Sequence, residues 1–114
     1  MSMTEPMYQV NVEQKLLELS EQLEYEVDQY GLLAVERAEA ESEYKRQYNR
    51  AILRLSEGTV AKQTAIAHLK AANAYHAWKI AEAQEKATQQ KLIAIRTQIE
   101  SARTISANVR ASGG

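Results

Sequence analysis

The stretch LRLSEGTVAKQTA, residues Leu53 to Ala65, decides the fold of this chain. Glycine adopts the left-handed backbone conformation that ends a helix at little cost, so Gly58 is predicted to stop one helix. Thr59 is predicted to cap the next helix, because its side-chain oxygen can accept a hydrogen bond from a free backbone amide in the following VAK. A connection of about two or three residues makes the flanking helices antiparallel.

The composition supports a fold made of helices alone. The chain has 114 residues, one proline, four glycines and no cysteine, and residues that favour helices dominate it. We therefore predict an all-α protein, a long antiparallel helical hairpin of coiled-coil type. The hairpin is predicted over residues 11–110 with its turn at Glu57–Thr59, between an N-terminal tail, 1–10, and a flexible C-terminal tail, 111–114. Thr4, ahead of Pro6, offers an earlier helix start.

The first arm of the hairpin carries one apolar stripe at helical spacing. Its members are Leu16, Leu19, Leu23, Val27, Tyr30, Ala34, Ala38, Tyr44, Tyr48, Ile52 and Leu55. Gly31 lies within the stripe and could end a shorter helix, but the stripe keeps its phase across it, which favours a continuous helix. In a symmetric hairpin Gly31 would face Ala83 and Ala87, where a close backbone approach is useful.

The second arm carries two apolar stripes, which predicts two packing partners. One consists of Leu69, Ala72, Ile80, Ala83, Ala87 and Ala94, and the other of Trp78, Ala81, Leu92, Ile95, Ile99, Ala102 and Val109. A single hairpin covers only one of them. We therefore predict a homo-oligomer, a four-helix or larger bundle. The alternative is that the alanine-rich stripe is simply exposed to solvent.

Charge is distributed unevenly along the chain. Residues 1–44 contain 11 acids and 2 bases, whereas residues 45–114 contain 12 bases and 4 acids. Folding at Gly58 lays the acidic segment beside the basic one. The expected neighbours are Arg96 with Glu21, Arg103 with Glu13, and Lys79 with Glu36 or Glu39.

A group of bases near the turn forms the first candidate site. This basic tip consists of Lys45, Arg46, Arg50, Arg54, Lys62 and Lys70, and Glu57 is the one acid between residues 45 and 70. The tip could contact a phosphate backbone or an acidic protein partner, with Tyr44 and Tyr48 offering stacking faces. The alternative is a solvated helix end whose cations complement the helix dipole.

Other candidate sites have less support. Tyr75 and Trp78 could anchor a partner, although aromatic side chains in such a helix also serve as core or subunit interface. His68 and His76 lack the glutamate spacing of di-iron bundles, so no metal or cofactor is predicted. The sequence contains no nucleophile motif and no phosphate loop. We therefore predict that the protein is not an enzyme and has no small-molecule substrate. The apolar runs are too short for a membrane span, and we expect a cytoplasmic protein.

The turn resembles a known group of proteins. LRLSEGTVAKQTA and the later LIAIRTQIESARTISANVR, residues 92–110, are similar to small helical accessory proteins of tailed bacteriophages, in which a TVA turn and an RTxIxxxR tail recur. The resemblance implies a role in phage DNA metabolism inside the bacterial host, with no catalytic residues. A host-directed inhibitor or adaptor that binds a defence or replication protein is the alternative, and a structural virion or scaffolding protein is a third.

Overall fold

The computed structural model describes residues 4–55 and 57–113, with side chains for 10–55 and 57–112. Three helices follow one another, α1 (Thr4–Arg54), α2 (Val60–Lys70) and α3 (Ala72–Gly113), and no strand occurs in this part of the chain. The predicted all-α hairpin is confirmed. The chain forms two compact units, one joining α1 up to Gln29 with α3 from Thr88, the other comprising Tyr30–Ala87.

The helix boundaries differ from those predicted. The first helix begins at Thr4 rather than at Asn11, so the predicted N-terminal tail is helical from Thr4 onward. The last helix continues to Gly113, which makes most of the predicted C-terminal tail helical. Residues 1–3, 56 and 114 lie outside the described residues.

The turn follows the local chemistry of its residues. Gly58 has a φ of 104°, the left-handed conformation that favours glycine. The backbone amide of Lys62 donates to Thr59 Oγ1 at 3.2 Å, so the predicted cap of the second helix is confirmed. The first helix ends earlier than predicted, at Arg54, and the amide of Leu55 tightens its last turn by donating to the carbonyl of Ile52 at 3.1 Å. The connection therefore runs from Leu55 to Thr59 and is longer than predicted.

The two internal glycines should respond oppositely to alanine substitution. Gly58→Ala should lower the free energy of unfolding by about 1 to 2 kcal/mol, because an L side chain strains a left-handed backbone. Gly31→Ala should raise it by about 0.5 to 1 kcal/mol, because Gly31 lies within α1 and no atom lies within 4 Å of the added methyl. Urea unfolding of both variants checks the signs. A loss at Gly31 as large as at Gly58 would contradict this explanation.

Gly31 is thus a helix-interior residue, as predicted, but its predicted packing role is wrong. A Cβ atom added at Gly31 would face open space and would not contact Ala83 or Ala87. The glycine is exposed because the row of buried residues in α1 passes along another face of the helix.

The second arm is interrupted at Ala71, although one continuous helix was predicted. Ala71 has φ −96° and ψ 10°, outside the usual helical range. Hydrogen bonds cross the interruption, since the Ala71 amide donates to the Ala67 carbonyl at 3.0 Å and the Tyr75 amide donates to the Ala71 carbonyl at 2.9 Å. The deviation is therefore confined to one residue.

Apolar packing in the first unit is centred on Leu19. A buried cluster joins it to Ile95, Ile99 and Ala102, and Leu16 and Leu23 pack against the cluster. Two ion pairs define the antiparallel direction here: Arg110 lies 3.6 Å from Glu13, and Lys91 lies 3.7 Å from Glu26. The predicted pairings of Arg96 with Glu21 and Arg103 with Glu13 are not among the ion pairs of the described residues.

The buried row of α1 follows three- and four-residue steps but includes charged residues that were not predicted. This inner row consists of Val12, Leu16, Leu19, Leu23, Glu26, Tyr30, Leu33, Arg37, Ala40 and Tyr44, all buried or half-buried. Val27 and Ala38, which were predicted to lie in the stripe, are exposed instead. Glu26 and Arg37 occupy the corresponding inner positions because each has an opposite charge beside it on α3.

The two stripes of the second arm have different environments. The stripe containing Leu92, Ile95 and Ile99 is the buried one. In the other stripe Leu69, Ile80, Ala83, Ala87 and Ala94 are exposed, whereas Ala72 is half-buried. The described chain therefore uses one apolar stripe of α3 for intramolecular packing and leaves most of the other in contact with solvent.

Candidate functional site

Two of the six bases in the predicted basic tip are paired within their own helix. Lys45 lies 3.9 Å from Glu41, and Arg46 lies 2.9 Å from Glu43. These acids precede the tip in the sequence, which is why counting charges between residues 45 and 70 missed them. The expectation that the tip bases face only Glu57 is corrected for Lys45 and Arg46.

The other four tip bases are exposed and form no ion pair with a described residue. They are Arg50, Arg54, Lys62 and Lys70. The helix dipole explains Arg54, which lies in the last turn of α1. It does not explain Lys62, because a cation in the first turn of α2 meets the positive end of that helix, and this turn contains no acid.

The predicted aromatic residues meet in one cluster of the second unit. The rings of Tyr44 and Trp78 stack at 5.4 Å with an angle of 25°, and Tyr75 lies edge-on to Tyr44 at 5.3 Å. His68 joins them through a 3.1 Å hydrogen bond between its Nδ1 and the Tyr44 hydroxyl. Tyr48 lies at the margin, 6.0 Å from Tyr44. The rings mainly contact one another, which favours the packing alternative for them.

Lys79 and the Trp78 indole nitrogen complete the aromatic cluster. The Lys79 ammonium lies 4.3 Å from the centre of the Trp78 ring, within range of a cation–π interaction. The Trp78 Nε1 atom is buried and has no hydrogen-bond acceptor among the described groups. Burying such a donor without a partner has a free-energy cost, so the shape of the indole and not its N–H accounts for its place in the packing.

Charged side chains of the second unit form two networks. The Arg37 Nε donates to Glu85 at 2.7 Å, and its guanidinium lies 3.6 Å from Glu41. The hydrogen bond and charge of Glu85 raise the pKa of Arg37 above its ordinary value. Sequence analysis missed this pair, although Arg37 keeps the three- and four-residue spacing of Tyr30, Leu33 and Tyr44 that marks the inner row.

The second network is centred on Glu82. Its carboxylate lies 3.5 Å from Lys79 and 3.6 Å from Lys86. Burial by itself would raise the pKa of Glu82, but the two lysines outweigh it and hold the pKa below its ordinary value. Lys79 was predicted to lie near Glu36 or Glu39. It pairs instead with an acid three residues away on its own helix.

The described residues contain no group of three or more histidines, cysteines or acids that could hold a metal ion. Within the same part of the chain, every helix lacks the length of apolar sequence that crossing a membrane requires. The comparisons with known proteins give no further guide, since no family model, no curated protein and no solved structure matches this chain.

Proposed function

We propose that the chain is a non-enzymatic accessory protein of the tailed-phage kind, a self-associating helical hairpin that contacts nucleic acid through its basic tip. The observation that carries the proposal is the set of exposed bases that form no ion pair with a described residue, Arg50, Arg54, Lys62 and Lys70. Exposed lysine and arginine side chains can neutralise phosphates and release the counterions bound to nucleic acid. In this proposal the protein acts on DNA or on a nucleoprotein in the cytoplasm of a bacterial host.

The position of Lys62 is a second argument for a ligand at the tip. The side chain of Lys62 lies against the turn. Its Cδ atom is 3.6 Å from the point that a Cβ atom on Gly58 would occupy. A cation held next to the positive end of α2 is unfavourable unless an anion is nearby. A phosphate at this end of the hairpin would interact favourably with Lys62 and with the free backbone amides of the helix start.

Nucleic-acid binding and its salt dependence test the proposal. The variant Arg50→Gln/Arg54→Gln should weaken binding to every sequence about equally, because phosphates carry no sequence information. The slope of log affinity against log salt concentration should also become less steep by about 1.5 to 2. Each phosphate contact that is lost no longer releases counterions on binding. Fluorescence anisotropy with labelled single- and double-stranded DNA measures both effects.

A control with the same charge change makes this test specific. Arg96 and Arg103 are exposed bases of α3 outside the tip, and neither forms an ion pair with a described residue. The variant Arg96→Gln/Arg103→Gln should therefore keep most of the wild-type slope. If both variants lost the same amount of slope, the change in net charge alone would explain the effect. Absence of binding by the wild-type protein at low salt would overturn the nucleic-acid part of the proposal.

A second function, an adaptor or inhibitor that binds a host protein, is favoured by exposed apolar side chains. Leu32 and Val35 of α1, three residues apart in the second unit, are both more than half exposed. Such side chains are typical of protein-binding surfaces when they are grouped. Capture of the same host protein with and without nuclease would favour this function. Capture that requires intact nucleic acid would favour the nucleic-acid-binding function. Detection of the protein in purified phage particles would favour a virion or scaffolding role.

A further inference from the structure

The self-association in the proposed function requires a surface, and the second unit provides two faces that match one another. The acidic face is on α1 and consists of Leu32, Val35, Glu36 and Glu39. The basic face is on α3 and consists of Lys79, Ile80, Ala83, Lys86 and Ala87. Each face combines apolar side chains with an excess of charge of one sign.

The acidic face has apolar contact area and an excess of negative charge. Leu32 and Val35 are 60% and 56% exposed. Glu36 and Glu39, one turn further along the same helix, are exposed and form no ion pair with any residue the structure describes. Residues at these intervals lie on one side of a helix. This side of α1 therefore combines two large apolar side chains with two unneutralised carboxylates.

The basic face has the opposite charge. Ile80 is 61% exposed, and the alanines one and two turns further along are also open to solvent. Lys79 and Lys86 flank these residues and share one carboxylate, that of Glu82. Two ammonium groups with one acid leave an excess positive charge beside a row of small apolar side chains, which allow a second helix to approach closely.

We propose that a second copy of this chain covers both faces, with the acidic face of each copy against the basic face of the other. Like faces would bring carboxylates against carboxylates or ammonium groups against ammonium groups, which is repulsive. Opposite faces neutralise both excess charges and remove Leu32, Val35 and Ile80 from water. In a twofold pair this contact occurs twice, because residue i contacts residue j and j contacts i.

Complementary charge reversals test the surface. The variants are Glu36→Lys/Glu39→Lys and Lys79→Glu/Lys86→Glu, each studied alone and in an equimolar mixture by analytical ultracentrifugation at low salt. Wild-type protein should associate, and each variant alone should associate at least about tenfold more weakly, because both contacts become repulsive. The mixture should regain association, since both contacts then join opposite charges.

Each outcome separates the surface from the proposed function. A monomeric wild type overturns self-association and this inference together, while the nucleic-acid test at the tip remains independent. An associating wild type with unweakened variants, or a mixture that does not recover, overturns these faces and leaves self-association standing. Circular dichroism shows whether each variant is folded. If Lys79→Glu unfolds the chain, because Lys79 lies over Trp78, Lys86→Glu alone replaces the second variant in the same mixture.

Discussion

Replacing Leu19 by alanine should lower the free energy of unfolding by about 2 to 5 kcal/mol, the range for truncating a buried leucine. Leu19 is 2% exposed and belongs to the cluster with Ile95, Ile99 and Ala102. The lost methyl groups leave a cavity that rigid neighbouring helices fill only in part, which adds to the lost burial of apolar surface. Chemical unfolding followed by circular dichroism measures the change.

The neighbouring Leu17 provides a matched control. The two leucines are two residues apart on the same helix, but Leu17 is 55% exposed. Leu17→Ala should therefore change the free energy of unfolding by less than about 0.5 kcal/mol, as is usual for surface positions. If the two substitutions cost the same, α1 does not present the face containing Leu19 to α3.

The second large effect concerns the aromatic cluster. Trp78→Ala should lower the free energy of unfolding by about 2 to 4 kcal/mol, somewhat less than for a fully buried indole because the residue is half-buried. The substitution removes the ring that stacks on Tyr44 and that Lys79 covers. Because Trp78 is the only tryptophan of the chain, circular dichroism rather than fluorescence must follow unfolding.

Trp78→Phe distinguishes packing from hydrogen bonding at this position. The buried Nε1 has no acceptor among the described groups, so its removal loses no hydrogen bond. We expect phenylalanine to retain part of the stacking and to cost less than Trp78→Ala, because it leaves a smaller cavity. A loss equal to that of Trp78→Ala would mean that the indole nitrogen has a partner in solution.

Local rules were sufficient for the cap of α2 and for the class of fold, but not for the end of α1. Thr59 caps α2 as predicted, and Gly58 has the predicted left-handed conformation, but Gly58 does not stop the first helix, which already ends at Arg54. The continuous helix through Gly31 also followed from the apolar spacing on either side. The interruption at Ala71 could not be predicted in this way, because alanine is the best helix former and nothing in its neighbourhood marks a break.

The burial of charged residues was harder to predict. Val27 and Glu26 are adjacent, and spacing alone allows either to face the partner helix. Hydropathy favoured the valine, but the structure buries the glutamate, because Lys91 lies beside it. A single helix does not reveal such a pair, since it depends on the alignment of two distant segments. The same limitation explains why Lys79 was assigned to Glu36 or Glu39.

The sequence pattern also could not show which bases of the tip form ion pairs. Spacing of three and four residues links Arg46 to Glu43 and Lys45 to Glu41, but long side chains can choose among several such partners. The structure selects these two pairs. The excess of charge was therefore predictable, whereas its distribution among individual side chains was not.

The pairing of Glu26 with Lys91 also restricts the alignment of α1 with α3 along their length. A displacement by seven residues would preserve the apolar rhythm of a coiled coil, so apolar packing alone tolerates it. It would, however, replace Lys91 by Gln84 or by Gln98, depending on direction. Glu26 is only 8% exposed, and either glutamine would leave its carboxylate buried without a positive charge. Burying a carboxylate without a cation beside it has a free-energy cost, so Glu26 disfavours both neighbouring alignments of a repetitive sequence.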